Sequence, residues 1–321
     1  MFAIDGPRRD GNGCRMAKFV NVAAVQFTKE HLTGQPNVRS LILEDTAATL
    51  QKLRGFGLNL VVVSETIEAL AQTLAEAEEV QRPGALLSLY QEFAAAENCH
   101  VAGSVKLRDA DGVHNSIVFI GPAGQILGAY HKTFLTLSEI DEGLRPGKGA
   151  VVVDTAIGRL GGAICFDLNF DELRSQYAQL QPDIITFASM YHGGLAQSWW
   201  AYSCRAFVVA ALPFHGGGVL DPFGRPVALT HCYTAVARAR INLDRVLVHL
   251  DYNRDKFPAI ERQYGAEVQI DTPANIGAAM LTSLTEKRTA LEIARKFELQ
   301  LLDDYFQTAA ARNTQARGTG R

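Results

Sequence analysis

A glutamate, a lysine and a cysteine stand in this chain where apolar runs end. Glu65 closes LNLVVVSE (58–65), Lys132 follows ILGAYH (126–131), and Cys165 closes RLGGAIC (159–165). Cysteine is a strong nucleophile once ionised. A carboxylate can take its proton and later return one to a leaving amine. An ammonium can hold the oxyanion that develops on an attacked carbonyl. Together the three side chains offer acyl transfer through a thioester. Each also has an ordinary reading: a buried cysteine is a common core residue, Glu65 suits a strand-end salt bridge or helix cap, and Lys132 a solvated hairpin charge.

The elements around them decide whether they meet. Short apolar runs, many rich in Val and Ile and bounded by Gly, Pro, Asn or Asp, read as strands at 19–27, 58–65, 100–107, 115–121, 151–155, 158–167, 183–189, 207–213, 217–224, 235–243 and 246–252. Helical spacing appears at 36–54, 84–97, 171–180 and 197–206, and NSIVFIGPAGQILGAYHK turns as a hairpin at Pro122-Ala123-Gly124. The rhythm predicts a layered α/β fold with a mixed sheet. In such sheets the ligand crevice lies beyond the carboxyl ends of strands, where the three residues sit.

Several ordered motifs resemble the nitrilase superfamily, the carbon–nitrogen hydrolases, over about residues 18–255. They are AAVQF (23–27), VVVSET (61–66), HNSIVFIGPAGQILGAYHKTFLTLSE (114–139), PGKG (146–149), GRLGGAICFDLNFDELR (158–174) and GGVLDPFGRPVA (217–228). Ser64 stands where proline is commoner. The resemblance implies a four-layer α-β-β-α sandwich with two mixed sheets and at least a homodimer. It implies Glu65 as general base and acid, Lys132 as oxyanion-stabilising cation, Cys165 as nucleophile and the Phe166 N–H as second oxyanion donor. A second site glutamate is also implied, for which Glu139, seven places after Lys132, and Glu142, in the string EGLRPG, both stand as candidates; Glu139 is preferred. No metal or organic cofactor is needed.

The implied reaction is hydrolysis of a non-peptide C–N bond, with a small linear amide as the first expectation. No arginine follows Cys165 until Arg174, which disfavours N-carbamoyl amino acids; Phe166 replaces the Trp usual in true nitrilases. A non-catalytic binding protein on the same fold and a thiol acyltransferase are the remaining alternatives. SMYHGG (189–194) resembles a pocket-lining loop, making Tyr191 and His192 candidate substrate contacts, against simple packing for Tyr191 and a solvated loop for His192. Trp199 and Trp200 open a helix that the family uses near its subunit interface. Arg174 reads as a structural salt bridge.

The chain has 321 residues, a net charge of −3, 47% hydrophobic and 20% charged residues, enough for a sizeable core. It carries no basic footprint for nucleic acid and no apolar run long enough to span a membrane. The first 17 residues read as a loose leader without a secretory apolar segment, and five widely spaced cysteines do not form a disulfide framework. A cytoplasmic location is therefore expected. Cys99, Cys204 and Cys232 read as buried small hydrophobes, and Gly216–Gly218 as a tight loop rather than a phosphate cradle. The eight histidines show no metal-ligand spacing. Residues 18–283 read as one hydrolase domain, followed by a C-terminal helix and tail (284–321) suited to packing or a dimer arm.

Overall fold

Short buried strands leave backbone donors and acceptors that only neighbouring strands can satisfy. The chain answers with two six-stranded sheets, in a computed structural model that describes residues 18–26, 37–65 and 73–318. The leader at 1–17, Phe27 in AAVQF and Thr66 in VVVSET lie outside the described residues.

The first sheet runs β12 (Val236–Asn242), β1 (Phe19–Val25), β2 (Leu60–Val63), β3 (His100–Asp109), β4 (Gly112–Ile120), β5 (Ile126–His131). Strands β1, β2 and β3 are parallel, whereas β4 and β5 return antiparallel. The second sheet runs β11 (Pro226–Leu229), β10 (Gly218–Leu220), β9 (Phe207–Ala211), β8 (Ile184–Ala188), β7 (Gly158–Ile164), β6 (Val152–Thr155). Here β7, β8 and β9 are parallel and β6, β10 and β11 antiparallel. Both sheets are mixed, as the sequence predicts.

Helices α1 (Val38–Gln51) and α2 (Ala85–Glu97) cover the first sheet: Leu50, Leu86, Tyr90 and Phe93 share one apolar cluster with Val61, Val63, Val101 and Val105. A short helix, α3 (Leu137–Glu142), follows β5; α4 (Asp171–Leu180) and α5 (Leu195–Cys204) follow β7 and β8. Two adjacent glycines on β7 show the layering, since consecutive residues of a strand face opposite ways. A Cβ on Gly161 would come within 2.8 Å of the Tyr177 ring on α4, and one on Gly162 within 2.8 Å of Tyr130 on β5 of the other sheet. The order is thus helix, sheet, sheet, helix.

The chain divides into two compact units at Ile241/Asn242, inside the span 18–283 that the sequence reads as one domain. The second unit has its own sheet, β13 (Arg245–His249), β15 (Ala278–Ser283), β14 (Val268–Asp271), with α6 (Phe257–Tyr264), α7 (Ala290–Lys296) and α8 (Leu302–Gly318). Val248, Ile260, Leu281 and Ile293 form its core, which is why it closes on itself. The single C-terminal helix expected within 284–321 is instead two, α7 and α8. Glu298 takes a left-handed conformation (φ 50°), and the buried Asn253 side chain binds both the N–H and the C=O of Gln300 at 2.8 Å. Cys99 and Cys204 are buried, but Cys232 is exposed, because it lies in the tight turn bridged by His231 and Thr234.

Candidate active site

Three strand ends and one helix bring the chemistry together, all within the unit Val20–Ile241. Glu65 stands two residues past β2, Cys165 directly past β7, and Lys132 directly past β5. Lys132 lies opposite Asn115 of β4, its N–H donating to the Asn115 carbonyl at 2.8 Å, while Asn115 pairs on its other side with Lys106 of β3. Lys106, Asn115 and Lys132 therefore share one face of the sheet.

The Lys132 ammonium is buried and donates to Glu139 at 2.8 and 3.0 Å and to Glu65 at 3.3 Å. The Asn115 amide bridges the two carboxylates, donating to Glu65 at 2.7 Å and Glu139 at 2.8 Å. The other Glu65 oxygen accepts the Met190 N–H at 2.9 Å, from the loop past β8. Glu139 is held by a capping box with Thr136, whose N–H and hydroxyl donate to it at 2.8 and 3.0 Å.

The electrostatics follow. Burial opposes the Lys132 charge, yet Glu65, Cys165 and Glu139 together outweigh it and raise its pKa. Burial likewise works against the Glu139 charge, but Lys132, Asn115 and Thr136 draw its pKa below the usual range. Burial and the Glu65 charge push the Cys165 thiol up to about 11, against the pull of Lys132, the Met190 N–H and the Ser189 hydroxyl. Cys165 itself sits at φ 46°, a left-handed conformation uncommon for a side-chain-bearing residue, at the head of a short 3-10 turn (Cys165–Asn169).

The other residues singled out in the sequence fall differently. Glu142 leaves Lys132 alone and meets the buried Lys106 instead. Phe166 is half exposed, edge-on to Phe170 at 5.1 Å, and Phe170 stacks on Phe134 at 3.8 Å. Burial and then the Cys165 charge raise the Tyr191 pKa, and its hydroxyl accepts from the Asn169 amide at 3.4 Å. His192 packs flat toward Phe214 and fills the space over Gly216. Trp200 is buried and donates its indole N–H to Leu168 at 3.1 Å; Trp199 is half exposed beneath the Arg174 guanidinium, which also pairs with Asp171 at 3.0 Å.

Sequence reading passes over Asn115, which appears only inside a motif, and the Met190 N–H, which no side-chain pattern reveals. A polar residue in the buried run of β4 is the one signal that marks Asn115. The fold also gathers Asp109, His114 and His131, whose ligand atoms lie within 4.8 Å of one another. The two imidazoles stack with centroids 4.2 Å apart and planes 23° from parallel, so their in-plane lone pairs do not converge on one point as a shared metal ion requires.

With this geometry in place, the comparisons are consistent. The family model for carbon-nitrogen hydrolases matches residues 21–239, the greater part of the chain, and the chain belongs to that family. Deaminated glutathione amidase of Mus musculus is 26% identical over 253 residues, spanning 66% of this chain and 76% of that protein. Omega-amidase NIT2 of Bos taurus is 26% identical over 173 residues, spanning 46% of this chain and 62% of its own length. Among solved structures, Nit3 of Saccharomyces cerevisiae, a member of branch 10 of the nitrilase superfamily, shares the fold with a TM-score of 0.61 at 19% identity, over 71% of this chain and 91% of that one. Among the described residues no helix is long and apolar enough to cross a membrane.

Proposed function

We propose that this carbon–nitrogen hydrolase cleaves a small linear amide through a thioester on Cys165. The observation that carries the reading is the buried Lys132 ammonium, held by Glu65 and Glu139 beside the cysteine. Its relatives named as amidases point the same way.

A thiol whose pKa is raised to about 11 rests protonated at neutral pH, so the nucleophile needs a base at the moment of attack. Glu65 takes that proton, and the sulfur attacks the amide carbon. Lys132 and the Phe166 N–H stabilise the tetrahedral oxyanion. Collapse breaks the C–N bond, Glu65 gives its proton to the departing ammonia or amine, and the acyl group remains on sulfur. Water, deprotonated by Glu65, then attacks the thioester; the acid leaves and the thiol recovers its proton. Glu139 holds Lys132 in place throughout, and Tyr191, whose pKa the Cys165 charge helps raise, is the candidate substrate contact.

The same reading extends to a homodimer, supported by the exposed Leu195 and Trp199 on α5, and to a cytoplasmic location, supported by four cysteines that form no disulfide among the described residues. Intact-protein mass spectrometry with a panel of short amides, carbamoyl amino acids and nitriles tests the reaction. A covalent acyl adduct on the wild type and none on Cys165→Ala is expected. Undiminished turnover by Cys165→Ala would end the thiol mechanism.

A further inference from the structure

We propose that Asp167 is a positioning residue for this reaction, its carboxylate clamping the Cys165 turn to the segment that carries Lys132. The inference rests on the amide-hydrolase reading and assigns work to a buried acid which that mechanism leaves unused.

The side chain is fully buried two residues past the nucleophile. One oxygen accepts the Phe134 N–H at 2.8 Å. The other accepts the Tyr130 hydroxyl at 2.7 Å and the Ile164 N–H at 2.8 Å. Tyr130 and Phe134 flank Lys132, two residues to either side, and Ile164 immediately precedes Cys165. One carboxylate thus ties both flanks of the cation to the residue before the nucleophile, across the two sheets. The left-handed Cys165 conformation gives the clamp a task, because such a conformation persists only where its surroundings over-determine it.

Asp167 touches no reacting atom, so its effect passes through Cys165 and Lys132. The ionisable groups around it are Tyr130 and Lys132 from the first sheet, Tyr177 from α4, and Tyr191 from the loop past β8. Burial pushes its carboxyl up to about 6, against the three hydrogen bonds and Lys132, which draw it down. The ionised form accepts all three bonds with the strength that charge adds; protonation makes the N–H bonds neutral and about half as strong. Positioning should therefore weaken as pH falls through about 6.

The test measures kcat and KM between roughly pH 5 and 9 for the wild type, Asp167→Asn and Tyr130→Phe, on an amide the wild type turns over. Asp167→Asn should lower kcat by roughly 10- to 100-fold, with KM changed far less, and should remove the acid limb near 6. Tyr130→Phe keeps the carboxylate but loses one stabilising bond, so its acid limb should move up by roughly one pH unit. Wild-type kcat and an unmoved limb in Asp167→Asn would overturn the clamp, as would a loss carried by KM alone. If Asp167→Asn fails to fold, an unmoved limb in Tyr130→Phe overturns it equally. A wild type that turns over no amide counts against the parent reading instead. The clamp is then judged on alkylation of Cys165 by a neutral reagent, which needs no substrate: a rate roughly tenfold lower in the variant supports it, and an equal rate overturns it.

Discussion

Glu139 and Glu142 lie three positions apart on α3, and each meets a different buried lysine: Glu139 holds Lys132 at 2.8 Å, and Glu142 holds Lys106. Residues at this spacing share one helix face. Because Lys106, Asn115 and Lys132 also share one face of the sheet, the helix lies across the strands with one carboxylate over each ammonium.

The two glutamates should therefore behave differently. Glu139→Gln is expected to cut kcat by about 100-fold or more, since it frees Lys132 from the partner that orients it. It should also flatten acid unfolding. The Glu139 pKa is depressed in the folded state, so its contribution is present above the ordinary glutamate range and is lost as pH falls through the folded value. Glu142→Gln should cost less than about tenfold in kcat but about 1–2 kcal/mol of stability, below the loss for a fully buried pair because Glu142 is 42% exposed. Steady-state kinetics and urea unfolding of both variants check this; equal losses in kcat would contradict the division of roles.

Glu65→Gln separates charge from proton transfer. The Glu65 charge helps hold the Cys165 thiol up at about 11, so removing it lowers the thiol pKa and enlarges the thiolate fraction at about pH 8. Alkylation of Cys165, followed by peptide mass spectrometry, should then accelerate while amide turnover collapses by roughly 100-fold or more. Slower alkylation in this variant would show that Glu65 is not the group raising the thiol.

Asn115 donates to two carboxylates at once. Asn115→Ala should lower kcat by roughly 10- to 100-fold, leaving Glu65 and Glu139 without their shared donor. Asn115→Asp adds a third negative charge at the same place and should fall below the alanine variant. An aspartate variant as active as the wild type would mean that the bridge has no bearing on the reaction.

Gly162 faces Tyr130 across the two sheets, and a methyl there would lie 2.8 Å from the Tyr130 Cβ. Gly162→Ala should destabilise the protein by about 1–3 kcal/mol. Because Tyr130 also anchors Asp167, turnover should fall with it. Denaturant midpoints and kcat measured together would show whether the two losses travel as a pair.

Much of this arrangement was written locally. Alternating or continuous apolar runs ended by turn residues mark β2, β5 and β7, and the polar residue that follows each run lands at a strand's end, where a crevice forms. Glu65, Lys132 and Cys165 were therefore legible one by one, and the ordered motifs placed them in a family. Local signals stop at the face of an element. They mark no helix at 137–142 and are silent on which lysine Glu139 and Glu142 each reach, because that depends on how α3 lies across β3 and β5. Asn115 reads as one polar residue in a strand, and Asp167 as the last residue of the run 158–167. Their bonds join positions 50 residues apart for Asn115 and Glu65, and 37 apart for Asp167 and Tyr130. Hydrogen bonds act over about 3 Å, so strand pairing within the first sheet decided the Asn115 partner and the packing of one sheet against the other decided the Asp167 partner.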